Sequence, residues 1–330
     1  MKNFWYSIFT ILIAGILLTG CASSETNGES NDNKDEVVVT IGIQGSGGVF
    51  GKAREEKWFE EEFAKKGAKV EWKEFQSGPP MTEAMASNKL DFALLGNMPI
   101  IAAQAANIPF TVISQTIDGK NNVGIILPKD SKITSIKELK GKKIAVVKGS
   151  NAFNFLYRGL DEAGIDVADT EIIQLQPDEA QAAFESGGVD AWATWDPYIS
   201  LNVLTDKAKV LVDGEQLGIL SPSFQIVRTE FAKKHPDLVT LYLEVFNKAL
   251  DWEQQNKDEA IERYAKERNT PTNVIEGTLD RGLIINIPVS DEIMEEQQKT
   301  ADFQYSLKTI RQKIDVKEVF DNQYIEEALK

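Results

Sequence analysis

Four short segments carry groups able to hold a small anion: Gln44-Gly45-Ser46-Gly47-Gly48, Gln76-Ser77-Gly78-Pro79, Gly96-Asn97-Met98-Pro99 and Lys148-Gly149-Ser150-Asn151. Each is short, rich in donors and, Lys148 apart, neutral, and each stands between a strand-like run and a helix-like run. A helix N-terminus offers unpaired N–H groups and about half a positive charge, so it attracts an anion without a lysine. Taken singly, any of these segments also reads as an ordinary helix cap, because Ser and Asn are preferred there. The recurrence of one composition at one place in four strand–helix units points to a shared ligand site. No Gly-x-x-x-x-Gly-Lys-Ser/Thr phosphate loop is present. Lys148 is the cation of note beside these loops, and it can face solvent as readily as ligand.

A fifth segment gathers aromatic groups. Trp192, Trp195 and Tyr198 fall within ten residues, flanked by Asp190 and Asp196-Pro197. Such a cluster is often core. The indole N–H groups need partners if buried, however, and the flanking acids favour a strand end or loop. Asp196 either caps a helix that begins at Pro197 or steadies a binding tryptophan. Other chemistries are poorly supplied. The chain has one histidine, His235, in a polar stretch before Pro236, and one cysteine, Cys21. Neither a zinc-type cluster nor a Ser-His-Asp set can be assembled from these.

The elements that must position these segments alternate. Val37 to Ile43 reads as a buried strand, and strand-like runs recur at Lys69 to Phe75, Asp91 to Leu95, Phe110 to Gln115, Val123 to Leu127, Ile144 to Val147, Val210 to Val212 and Phe224 to Val227. Helical runs lie between them. Phe153, Leu156, Leu160 and Ala163 keep helical spacing, and Ser135-Ile136-Lys137-Glu138 has the form of a capping box. Beyond Thr229 the pattern is helical to the end. Strand–helix alternation predicts an α/β architecture with largely parallel sheets, and ligands in such folds collect at the carboxyl ends of strands. With 330 residues, 42% hydrophobic, the chain is expected to form two domains. Its net charge of −15 makes nucleic acid and anionic lipid poor partners for its overall field.

The N-terminus reads as an address. Lys2 precedes an apolar stretch from Ile8 to Leu18, and Leu18-Thr19-Gly20-Cys21 follows. The apolar run is short for a membrane span, which needs ~20 residues, and has the form of a secretory signal over 1–20. The order resembles a bacterial lipobox, in which Cys21 is lipidated. The alternative is an ordinary signal with a cysteine nearby. Residues 21–36 hold nothing that can pack and read as a flexible tether of ~20 Å.

The segment Asp190-Ala191-Trp192-Ala193-Thr194-Trp195-Asp196-Pro197-Tyr198 closely resembles the signature of bacterial aliphatic sulfonate-binding proteins, in the nitrate/sulfonate/taurine group of ABC-transporter solute receptors. Trp72-Lys73-Glu74-Phe75-Gln76-Ser77-Gly78-Pro79, Gly96 to Ala106, Leu139 to Ser150 and Phe231-Ala232-Lys233-Lys234-His235-Pro236 resemble further family segments in the same order. The tryptophan segment is specific; the Leu-Lys-Gly-Lys-Lys run is common among solute receptors.

The resemblance implies a type II periplasmic-binding-protein fold, with two lobes joined by two hinge strands and a ligand cleft between them. Lobe I would combine 37–122 with 226–330 and lobe II would be 123–225, with crossings near Asn121–Ile125 and Ser223–Ile226. The sulfonate head would then sit near Gln44, Ser77, Gly78, Asn97 and Ser150, with Gln76, Met98, Lys148, Gly149 and Asn151 beside it. Trp192 would pack on the organic tail, Trp195 and Asp196 would support the loop, and Phe224 would close the other side. The glycine-rich run at Gln44–Gly48 departs from what the family leads one to expect.

The function implied is binding and closure without catalysis or cofactor. A monomer, anchored in the bilayer on the extracytoplasmic face, would deliver an alkanesulfonate or taurine-type ligand to a permease with its cytoplasmic ATPase. Within the same fold the alternatives are a receptor for nitrate or a thiamine-precursor pyrimidine, an enzyme related to pyrimidine synthases, and a ligand-sensing lipoprotein.

Overall fold

The computed structural model describes residues 36–45 and 48–330. The signal segment, Cys21 and the tether lie outside the described residues, as do Ser46 and Gly47 of the first loop. Among the described residues there are eleven strands: β1 (Val37–Gln44), β2 (Ala68–Phe75), β3 (Phe92–Gly96), β4 (Phe110–Ile117), β5 (Val123–Pro128), β6 (Lys143–Val146), β7 (Glu171–Gln174), β8 (Ala191–Trp195), β9 (Ala208–Asp213), β10 (Ser223–Arg228) and β11 (Ile284–Ile287). They form two sheets, ordered β11-β4-β10-β3-β1-β2 and β7-β6-β8-β5-β9.

The sheets are mixed rather than largely parallel. β1 runs parallel to β2 and β3, and β6 runs parallel to β7 and β8. β10 is antiparallel to both β3 and β4, and β5 is antiparallel to both β8 and β9. The connectivity explains this. β5 and β10 are the strands that enter each sheet after the chain has left the other one, and they insert against the direction of the local strand–helix units. The passages themselves are 118–122 and 214–222. Ser223–Ile226, expected as a crossing, lies wholly in a strand of the first sheet. The all-helical reading beyond Thr229 also missed β11, a four-residue edge strand too short to show a period.

Each sheet buries aromatic residues on its helices. In the first lobe Phe50, Phe59, Phe92, Tyr242 and Phe246 form one cluster, with Phe92 stacked on Tyr242 at 4.2 Å and 14°. In the second, residues alternate across β8 as strand geometry requires. Ala191 and Ala193 face the helix Asn151–Glu162, while Trp192 faces Phe184, Ile199 and Ile126. The expected capping box at Ser135 is a hydroxyl-to-carboxylate bond instead. The Ser135 hydroxyl donates to Glu138 at 3.2 Å, beside a short 3-10 turn.

Candidate functional site

All four loops open helices, as their composition predicts. The helices are Val49–Glu55, Gly78–Ala86, Asn97–Ala105 and Asn151–Glu162. Their starts converge on a cleft of about 490 Å³ between the two sheets, to which Gly48, Gly78, Gly96 and Ser150 each contribute. That is within the range for small-molecule sites, ~300–1,000 Å³. Phe75, Leu94, Ile117, Trp195, Tyr198 and Leu279 supply apolar walls.

The donors at these helix starts are partly spent within the protein. The Ser150 hydroxyl accepts from the Phe153 N–H at 3.2 Å and donates to the Val147 carbonyl at 2.8 Å, so it serves as a cap. Asn151 reaches across the cleft. Its Oδ1 accepts from the Met98 N–H at 3.4 Å, and its Nδ2 donates to the Ser221 carbonyl at 3.4 Å. Pro79 and Pro80 remove two N–H groups from the start of the helix Gly78–Ala86. Gln44 lines the cleft and donates to the Leu94 carbonyl at 3.0 Å. Gln76 donates to Asp178 at 2.8 Å, and the fully buried Ser77 hydroxyl donates to Gln176 at 2.9 Å. These bonds join the two lobes, so the structure stands closed.

Gly96 owes its identity to this seam. A Cβ there would lie 1.9 Å from Asn151 Oδ1 and 2.3 Å from its Cγ. Gly96→Ala is therefore expected to expel the Asn151 side chain and break both of its bonds. Overpacking of this kind costs ~1–3 kcal/mol. Because the lost bonds hold the closed form, ligand affinity should fall roughly tenfold, about 1.4 kcal/mol. Calorimetric titration beside a thermal melt checks both, and an unchanged affinity would show that Asn151 has no part in closure.

Several expected contacts are elsewhere. Trp192, expected on the ligand's tail, is fully buried in the second lobe and does not line the cleft. Strand alternation turns it to the far face, and Trp195, at the strand's carboxyl end, reaches the cleft in its place. Phe224 is fully buried against Phe320, edge-on at 5.7 Å. Met98 packs with Ile101, Ala301, Ile310 and Val316. Lys148 is exposed, and neither it nor Gly149 lines the cleft. Asn97 is buried at the start of its helix, and its Oδ1 has no partner among the described residues.

Asp196 lines the cleft and acts on both lobes. Its Oδ1 accepts from the Ser200 N–H at 3.0 Å and the Ser200 hydroxyl at 2.5 Å. Its Oδ2 accepts from Arg281 Nε at 2.9 Å, and Arg281 Nη2 donates to the Asn121 carbonyl at 2.7 Å. Burial pushes the Asp196 carboxyl up, against the opposing pull of Ser200 and Arg281. Of the two roles considered from sequence, the bonds to Ser200 fill the cap; the remaining oxygen goes to Arg281 rather than to a tryptophan.

The sequence reading missed the cation of the cleft. Arg268, the last residue of the helix Lys257–Arg268, lines the cleft beside Tyr264. Its guanidinium lies about 3.8 Å from where a Cβ on Gly45 would stand. Among the described residues no carboxylate lies within ion-pair distance of it, and it donates no side-chain hydrogen bond. Burial lowers its pKa, but arginine keeps its charge in proteins. The signal was weak. Arg268 ends a charged helix 169 residues beyond Pro99, the end of the nearest of the first three loops, and charged helix ends are normally solvated.

Residues 53–260 match the NMT1/THI5-like family model. A Bacillus subtilis (strain 168) protein named for binding aliphatic sulfonates is 48% identical over 97% of this chain and 96% of its own length. An Escherichia coli (strain K12) protein of the same name is 32% identical over 93% and 95%. Among solved structures, the alkanesulfonate-binding protein from Xanthomonas axonopodis pv. citri bound to MOPS superposes with a TM-score of 0.80 at 29% identity, covering 87% of this chain and 98% of that one.

Proposed function

The chain belongs to the NMT1/THI5-like family, and from that premise we propose that it is the solute receptor of an ABC importer for organic sulfonates. The observation that carries the reading is Arg268, a half-buried cation in the cleft with no carboxylate partner among the described residues. A buried charge is costly unless paired, so the ligand's anion supplies the missing partner. A planar guanidinium with five donors suits the three oxygens of a sulfonate. The cleft volume and its apolar walls leave room for an organic tail, which a bare sulfate or nitrate lacks. The relatives are named for this ligand class, and they are binding proteins.

Binding proceeds by closure. A ligand held by Gly45-side backbone and Arg268 on one lobe, and by Trp195 and Tyr198 on the other, favours the closed form and shifts the population toward it. The permease then distinguishes the loaded receptor by its closed shape. The lobes are taken as 37–122 with 223–330, and 123–222. The Cys21 thiol carries a lipid that keeps the receptor on the extracytoplasmic membrane face, at high effective concentration for its permease.

A melting-temperature screen of residues 36–330 tests the ligand class. Alkanesulfonates or taurine at a thousand times their dissociation constant should add ~4 kcal/mol of stability, with smaller shifts for sulfate and nitrate. A shift with nitrate or pyrimidines alone overturns the reading.

A further inference from the structure

Behind the cleft wall, a buried carboxylate is built into the support of the anion site. Glu253, on the helix Pro236–Gln255, is 8% exposed. Its Oε1 accepts from the Tyr264 hydroxyl and lies 3.4 Å from Arg263 Nη2. The same Nη2 donates to the Gly48 carbonyl at 3.1 Å, at the end of the first ligand loop. Arg263 Nη1 pairs with Glu267 at 2.8 Å, and the guanidinium lies 4.4 Å from the Tyr264 ring centroid. The fit is tight: a Cβ on Gly51 would stand 1.7 Å from Arg263 Nη1.

This cluster meets the cleft directly. Tyr264 and Arg268 are four residues apart on one helix, hence on one face, and both line the cleft. Tyr264 thus has its ring in the cleft wall and its hydroxyl on Glu253. Arg263 ties the same helix to Gly48, while Arg268 lies over Gly45. One carboxylate therefore holds together the helix that carries the ligand's cation and the loop beneath that cation.

Resting on the reading that the cleft takes an anion at Arg268, we propose that Glu253 is a positioning residue for that anion and takes up a proton as the anion binds.

Burial raises the Glu253 carboxyl to about 7, opposed by the Tyr264 hydroxyl and by Arg263, and aided by Glu267. Facing it from the neighbouring elements are Arg263, Tyr264 and Glu267 on the helix Lys257–Arg268, and the Gly48 carbonyl before the helix Val49–Glu55. Lys52 on that last helix lies over Trp252 and pairs with Glu56 and Glu259. Burial and Glu253 hold the Tyr264 hydroxyl well above its ordinary range, so it stays protonated. His235 stands before the opposite end of the Glu253 helix, against Phe231.

A second negative charge brought into a water-excluded cleft beside Tyr264 disfavours the ionised carboxylate. Its pKa is then higher in the complex than in the free receptor. By linkage the anion binds the protonated receptor more tightly, and the preference is reciprocal. Affinity is full below the free value, near neutrality, and falls as the pH rises through the window between the free and bound values. The fall is tenfold for each unit by which the two differ.

Calorimetric titration of the protein with hexanesulfonate, near neutral pH in buffers of different ionisation enthalpy, measures the proton directly. Wild type should take up a fraction of a proton and lose about tenfold in affinity between about pH 6 and pH 9. Glu253→Gln should bind as wild type does at low pH, with no uptake and a flat profile. Tyr264→Phe, which removes the hydroxyl that steadies the carboxylate, should move the fall in affinity to higher pH. Binding without proton uptake, uptake retained in Glu253→Gln, or an unmoved profile in Tyr264→Phe each overturns the proposal alone. No binding of hexanesulfonate at any pH overturns it together with the sulfonate reading.

Discussion

Arg268→Ala should abolish tight sulfonate binding while leaving the free receptor folded. The guanidinium lines the cleft, is half-buried, and has no carboxylate partner among the described residues. Truncating one member of a buried charge pair costs ~2–5 kcal/mol, and here the other member is the ligand. That is roughly a 30-fold to several-thousand-fold loss of affinity. In the ligand-free protein the same charge is a burden, because burial favours its neutral form. Its removal should therefore leave the melting temperature unchanged or slightly higher. Arg268→Lys keeps the charge but loses the planar fork, and should fall between the two. Titration calorimetry and a ligand-free melt separate the outcomes. Wild-type affinity in Arg268→Ala would mean that the anion is held elsewhere in the cleft.

Trp192→Ala should do the reverse. Trp192 is fully buried, 6.0 Å from Phe184 and 5.4 Å from Tyr198 between ring centroids. Deleting a buried Trp side chain leaves a large cavity and costs ~3–5 kcal/mol. Its Nε1 has no partner among the described residues, which trims the loss slightly, since no hydrogen bond goes with it. Urea unfolding should show a lower midpoint at a nearly unchanged slope. The fraction that remains folded should bind ligand close to normally, apart from any slack passed through Tyr198. Trp195→Ala, at the cleft surface, should instead weaken binding and leave the unfolding midpoint nearly in place. A stable Trp192→Ala protein without affinity would return Trp192 to the site.

These two residues mark how far the sequence could be read. The tryptophan segment is distinctive in sequence, but it reads there only as a loop or strand end, and β8 is not among the strand-like runs. Which of its two tryptophans faces the ligand depends on a register of one residue. Local pattern does not fix that register when both faces of the strand are buried. Asp196 showed the converse, since its capping of Ser200 follows from spacing alone. Its bond to Arg281 joins residues 85 apart and needed the lobes to be docked. The family resemblance implies ligand contacts for Met98 and Phe224, and only their neighbours Pro99 and Ser223 line the cleft. The helix and the strand that carry them turn those side chains into the core instead.

Cys21 and the address it implies rest on the sequence alone. Sequence by itself also determined the alternation of strands and helices, the four glycine-, serine- and asparagine-rich loops, and their place at helix starts. Those are local matters, set by side-chain period, by caps and by the few residues that tolerate a tight turn. Tertiary structure decided what the loops hold. It spent the hydroxyl of Ser150 and the amide of Asn151 on the protein's own backbone, and it brought Arg268 from a distant helix to stand over Gly45. The reason is physical. A buried charge finds its counterpart through space, and residues 45 and 268 come together only once the two distant chain segments of the first lobe have packed on each other.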